Sequence, residues 1–374
     1  MDLQGQNGLL STYRESYRTR GPLAWLIAAT LVGFYTVLYW EEKLSGALGG
    51  HPLTWLAESL HLRNRWYLYG FLYCVAMTSG GIYYLRRHGN SRYNRARIAV
   101  NVGVQVALGF TLPFVMPLFG QPEFYFSYFW PLKYDYLYPQ TLVQLPVYLS
   151  VYAVFGGLLA APVLAYFYGK RWYCSWVCGC GGLAETLGDP YRQLSDKSMK
   201  AWKIERYMVH GVLVFAILMT AFVLYTYFTG QSNVGPISSY SVRAIYGFWI
   251  GALFSGIVGV GFYPFMGNRV WCRFGCPLAA YLGLVQRFKS RFRITTNGGQ
   301  CISCGNCSTY CEMGIDVRAY AQKGQDIVRA SCVGCGICSA VCPRGVLNLE
   351  NADPHSRVMI APEIMVGNEM PKIG

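Results

Sequence analysis

The chain has 374 residues, of which 53% are hydrophobic and 13% charged, with a positive mean hydropathy of +0.25, whereas ordinary soluble domains carry about a quarter charged residues. That balance excludes the two-domain soluble protein that length alone would suggest. The net charge of +14, from 32 Lys and Arg against 18 Asp and Glu, flanks apolar tracts instead of lining one soluble face. It therefore reads as membrane topology and not as nucleic-acid binding.

After a polar segment at 1–20, uncharged stretches run at 21–40, 66–85, 98–122, 136–169, 207–241 and 244–268. Each has the roughly 20 residues that a helix rising about 1.5 Å per residue needs to cross a bilayer core. The sequence thus predicts a membrane all-α domain of six transmembrane helices at 21–268. The first tract is long enough to span, which reads as a span and not as a cleavable leader.

One set of connections holds 15 Lys and Arg: Arg14, Arg18 and Arg20; Arg86, Arg87, Arg92, Arg95 and Arg97; and Lys170, Arg171, Arg192, Lys197, Lys200, Lys203 and Arg206. The opposite set holds 5, namely Lys43, Arg63, Arg65, Lys133 and Arg243. Basic residues concentrate on the cytoplasmic side, so both termini are expected inside. Tyr and Trp crowd the span ends, as at Tyr39, Trp40 and Trp66, and anchor them at the interface. The aromatic loop at 123–138 reads as a re-entrant or interfacial segment.

Cys174, Cys178 and Cys180 follow the fourth tract, and Cys272 and Cys276 follow the sixth. Both groups read Arg, any residue, aromatic, Cys, three residues, Cys, which indicates an internal duplication. Residues four apart share a helical face, so the two pairs are expected to bring four thiolates together for a further metal or iron-sulfur centre. The neighbouring Lys170, Arg171, Arg269 and Arg273 are expected to lower the thiol pKa values. Packing and redox-active thiols remain alternatives at these five residues. Cys74, mid-span, reads as a small hydrophobe.

Behind a connector at 269–299, Cys301, Cys304, Cys307 and Cys311 form C-x2-C-x2-C-x3-C, and Cys332, Cys335, Cys338 and Cys342 repeat it with Pro343 after the last. In such tandem runs three thiolates hold one cubane and the fourth crosses to the other. The expected ligand sets are Cys301, Cys304, Cys307 and Cys342 for one [4Fe-4S] cluster, and Cys332, Cys335, Cys338 and Cys311 for the second. Zinc is the competing reading of four thiolates. Glu312 stands where the first run would carry proline, which leaves that turn less constrained. The unit at 300–351 resembles a bacterial-type two-cluster ferredoxin domain, which implies a small α+β fold, and a tail follows at 352–374.

No C-x-x-C-H, P-loop or dinucleotide fingerprint occurs, which argues against covalent haem and nucleotide chemistry. Of the five histidines only His210 lies in a predicted span, too few for a bis-histidine haem.

Taken together, residues 98–351 resemble the polytopic polyferredoxins of the NapH and NosR type, which accompany periplasmic nitrate and nitrous oxide reductases. Cys272 to Pro277 and the eight-cysteine run carry the resemblance. It implies an inner-membrane subunit relaying single electrons between the quinol pool or a cytoplasmic donor and a periplasmic reductase system, within a larger redox complex. Residues 41–65 are too few for the external flavin domain of the NosR type, so a separate flavoprotein or a cytochrome is the expected partner. Gly179 follows Cys178 where the family has proline. A related copper-handling group shares the cysteine motifs, which makes copper handling or reduction at the membrane-face cysteines the alternative function.

Overall fold

The computed structural model describes residues 9–351 apart from Asn90 and Ser232, with side chains of the first helix described from Pro22 onward. The tail at 352–374, with His355, lies outside the described residues.

Among the described residues five helices are long and apolar enough to cross a membrane: Pro22–Leu48, Arg92–Phe119, Val147–Tyr168, Met199–Phe228 and Ser239–Gly261. The tract at 66–85 is also helical, as Arg65–His88, with the Asn64 side chain accepting from Trp66 N at 2.9 Å and Tyr67 N at 3.2 Å. Its tyrosines, glycines and hydroxyl residues leave it less apolar than the other five. One face, including Tyr67, Met77 and Tyr84, packs on protein, while Phe71, Leu72, Val75 and Ile82 are exposed. The architecture is therefore mostly helical, and five of its described helices combine the length and apolarity that crossing a membrane requires.

Helix limits shift where local chemistry requires it. The tract at 136–169 breaks at Pro146, which cannot continue a helix, and restarts as Val147–Phe155. The helix Met199–Phe228 begins eight residues ahead of the uncharged tract, where Ser198 Oγ caps Ala201 N at 3.1 Å. Beyond it, β1 (Asn233–Val234) and β2 (Ile237–Ser238) form a two-stranded hairpin.

The aromatic loop folds back among the spans. Ser127 O accepts from Tyr173 Oη at 2.9 Å, and Trp130 Nε1 donates to Thr220 Oγ1 at 3.1 Å. Gly157 makes room for it, since a Cβ there would meet Trp130 Cβ at 3.2 Å. The segment packs against the helices Val147–Tyr168 and Met199–Phe228 and reaches the first cysteine motif.

The C-terminal domain is closed by β3 (Phe292–Thr296), ahead of the first cysteine run, pairing antiparallel with β4 (Leu347–Asn351) after the second. One continuous core joins this domain to the membrane-face motifs, with Cys174, Cys178, Cys272 and Cys276 packed in the same cluster as Phe292, Ile315, Cys332 and Val333. Gln286 stitches the seam: its Oε1 accepts from Lys170 N at 2.8 Å, and its Nε2 donates to Cys332 O at 2.7 Å and Arg329 O at 3.1 Å. Ser175 Oγ donates to Val333 O at 2.8 Å, and Tyr93 Oη to Gly334 O at 2.9 Å.

Leaving a buried polar group unpaired costs about 1–3 kcal/mol. Gln286→Leu orphans the Lys170 amide and the Cys332 carbonyl, so it is expected to lower the urea midpoint for release of the C-terminal domain, read by limited proteolysis. An unchanged midpoint would show that the seam does not depend on this side chain.

Candidate metal centres

The two membrane-face motifs share one backbone design. Gly169 (φ 69, ψ 174) and Gly267 (φ 87, ψ 172) stand five residues before Cys174 and Cys272, in a region essentially restricted to glycine. Each turns the chain sharply out of its apolar helix. The four-residue spacing does not place both cysteines on one helical face, as the spacing alone suggested. Cys174 ends the short helix Arg171–Cys174 and Cys178 is the N-cap of Gly179–Glu185; Cys272 lies in the wide turn Trp271–Gly275 and Cys276 is the N-cap of Pro277–Lys289. A turn-and-cap pair satisfies the same spacing as a helical face.

Cys174, Cys178, Cys272 and Cys276 are each about 4–6% exposed and lie within electrostatic range of one another. Cys180 is half-buried, against the Cys178 thiol and toward Tyr73 and Tyr128. Burial pushes the Cys174 and Cys272 thiols up to about 11, against the opposing pull of Lys170 and Arg269. The expected lowering by basic neighbours is thus outweighed. Two of those neighbours are otherwise engaged: the Arg171 guanidinium lies 4.0 Å from the Phe292 ring centre, and Arg273 Nε pairs with Glu205 at 3.0 Å.

The C-terminal domain holds two cavities. One is lined by Cys301, Cys304, Cys307 and Cys342 with Pro343 and Val346, the other by Cys311, Cys332, Cys335 and Cys338 with Ile294, Ile315 and Val333. Each takes three cysteines from one run and the fourth from the other. Among the described residues no three His, Cys, Asp or Glu side chains converge on a single ion. Thiols spread around a cavity suit a cubane, where each thiolate binds its own iron, and not a tetrahedral zinc. Cys304 is exposed, whereas Cys332 and Cys338 are buried against the membrane-face motifs, so the first cavity is outermost.

Between the second cavity and the membrane-face quartet lies a buried ionic lattice that sequence reading missed. Glu312 pairs with Arg192 at 3.1 Å and Arg269 at 3.0 Å; Glu185 pairs with Arg97 and Arg269; Asp189 pairs with Arg192 at 3.0 Å. Its arginines touch sulfur at both ends, Arg269 Nη1 lying 3.7 Å from Cys272 Sγ and Arg192 Nη1 4.0 Å from Cys335 Sγ. Arg97 and Arg192, counted as topology signals in the sequence, are fully buried structural charges. The available signal was Glu185, a lone carboxylate in the otherwise uncharged stretch between Arg171 and Asp189.

The comparisons with known proteins fall on these sites. The 4Fe-4S dicluster domain family matches residues 300–347, around both C-terminal cavities. The 4Fe-4S binding domain family matches twice, at 150–198 and 247–295, once around each membrane-face motif. The candidate electron transport protein YccM of Escherichia coli (strain K12) is 26% identical over 182 residues, covering 46% of this chain and 49% of that protein. The methylamine utilization ferredoxin-type protein MauN of Paracoccus denitrificans (strain Pd 1222) is 29% identical over 184 residues, covering 46% of this chain and 60% of MauN. The chain therefore spans about half to three fifths of these curated relatives. No solved structure matches. The two 4Fe-4S domain matches, the electron-transport and ferredoxin-type relatives and the five candidate membrane helices are together consistent with a polyferredoxin of the NapH type.

Burial opposes ionisation of Glu312, but the charges of Arg269 and Arg192 outweigh it and hold the carboxyl down at about 2, against 4.5 for a free glutamate. A depressed folded-state pKa stabilises above the unfolded value and is lost as pH falls through the folded one. Docking of the C-terminal domain is therefore expected to weaken progressively from about pH 4.5 toward pH 2. Protease protection across that range should show the acid limb in the parent chain and a flattened one in Glu312→Gln at equal cluster content.

Proposed function

We propose that this chain is a membrane-bound iron-sulfur electron-transfer subunit, relaying single electrons between the quinol pool or a cytoplasmic donor and a partner flavoprotein, cytochrome or periplasmic reductase system. The observation that carries the reading is the pair of four-cysteine cavities with crossed fourth residues. Cys301, Cys304, Cys307 and Cys342 would hold one [4Fe-4S] cluster, and Cys332, Cys335, Cys338 and Cys311 the other. Such clusters supply one-electron storage at potentials set by burial and hydrogen bonding.

The chain's own residues supply the rest. Apolar walls of Ile294, Ile315, Val317 and Val333 keep water from the inner cavity, while Arg192 and Arg269 place fixed positive charge beside its thiols and those of the membrane-face motif. Positive charge near a thiolate-ligated centre favours the added electron. Cys174, Cys178, Cys272 and Cys276 form the candidate site for a third centre, with Cys180 beside it. The double match of a 4Fe-4S binding family to these two segments supports a cluster there. Copper handling requires thiols open to an arriving ion, and the burial of all four favours the electron-transfer reading. The orientation adopted is six helices, the domain order read from the sequence, and the ferredoxin unit on the cytoplasmic side of a bacterial inner membrane.

Iron and acid-labile sulfide on anaerobically purified protein test this reading. About eight irons per chain are expected from the C-terminal domain alone, and about twelve with a cubane at the membrane face. Cys304→Ser and Cys335→Ser should each remove or convert one reduced-cluster EPR signal. Unchanged spectra in both variants, or iron near zero, would contradict it.

A further inference from the structure

A cavity of about 210 Å³ opens at the seam between the helix Met199–Phe228, the helix Pro277–Lys289 and the segment at 328–331. Five side chains that line it carry permanent positive charge: Lys170, Arg206, Arg273, Arg287 and Arg329. Its one carboxylate, Glu205, is engaged by Arg273 at 3.0 Å. Among the described residues, Lys170, Arg206, Arg287 and Arg329 form no ion pair.

Burying like charges without a counter-ion is costly. Here Lys170 and Arg273 are only 1–2% exposed, and two guanidinium nitrogens, Arg273 Nη2 and Arg329 Nε, are buried without a hydrogen-bond partner. Arg329 is held in place over the Trp202 ring, 4.3 Å from its centre. Arg273 and Arg329 thus bring unpartnered buried donors to the cavity lining, with Arg329 Nη1 donating to Tyr320 Oη at 3.5 Å, while the lining residues Arg206 and Arg287 are exposed.

We propose that this cavity binds a phosphate group, with Arg273 and Arg329 as the inner donors and Arg206 and Arg287 closing over it. A compact oxyanion accepts several guanidinium hydrogen bonds at once. The entrance lies at the start of a membrane-spanning helix, beside Tyr207 and Phe288, which are 73% and 68% exposed and suited to the bilayer interface. Basic pockets between helices at that level take anionic phospholipid headgroups. A free phosphate from the aqueous side presents the same chemistry.

The test uses the full chain with its clusters, purified in detergent in phosphate-free buffer, alongside Arg206→Gln/Arg287→Gln, Arg329→Gln and the conservative Arg329→Lys. Native mass spectrometry after passage through phosphatidylglycerol or phosphatidylcholine nanodiscs counts retained lipid. Calorimetric titration with inorganic phosphate measures the free anion. Retention of about one phosphatidylglycerol per chain, displaced by salt, would assign the site to a lipid headgroup. Saturable phosphate binding without lipid retention would assign it to the free anion. In either case the two Gln variants should lose about tenfold or more in affinity, the loss of a charge-assisted contact, at unchanged visible spectrum, and Arg329→Lys should retain part of it. Failure of both probes on the parent chain would overturn the proposal. So would equal binding by the Gln variants, or variants that lose iron while binding is unaltered.

Discussion

The buried contact of Glu312 with Arg192 and Arg269 is what the rest of the arrangement depends on. Glu312 belongs to the first cysteine run, Arg192 follows the first membrane-face motif, and Arg269 opens the second. A single carboxylate therefore ties three segments that the chain keeps far apart in sequence. Removing one partner of such a pair leaves an uncompensated charge in a water-free interior and costs about 3–5 kcal/mol. That penalty favours the one docking geometry in which all partners meet.

The consequence reaches the sulfur sites. Held this way, the inner cysteine cavity, the lattice and the membrane-face quartet form one packed unit, and the arginines that lock the domain are the same groups that lie against Cys335 and Cys272. Structure and electrostatic tuning are then supplied by one set of residues. The outer cavity, with Cys304 exposed, is left open at the surface.

Much of this was legible in the sequence, and the omissions have physical causes. The cysteine spacing led to the same two groups of four that line the cavities, because short gaps leave the chain little freedom. Arg-x-aromatic-Cys repeated in both motifs signalled a duplication, and Gly169 and Gly267, each five residues ahead of the first cysteine, were an unused part of the same signal. The helical-face reading failed because a spacing of four fits a turn followed by an N-cap equally well. Uncharged length suggested six spans, and among the described residues five helices meet the stricter demand of length with apolarity, because Arg65–His88 carries tyrosines, glycines and hydroxyl residues. Arg97 and Arg192 looked like topology signals because a buried charge and a solvated one are identical on paper. Only the fold brings Glu185 and Glu312 to them.

The most direct test of this account is a double-mutant cycle on Arg192 and Glu312, using Arg192→Leu, Glu312→Leu and the pair, with urea-induced release of the C-terminal domain from the membrane domain as readout. Each single variant should be destabilised by about 3–5 kcal/mol, with the loss in the double variant well below the sum of the two. Strictly additive effects, or single variants that release the domain at the parent midpoint, would show that the two sites are not held together by this contact.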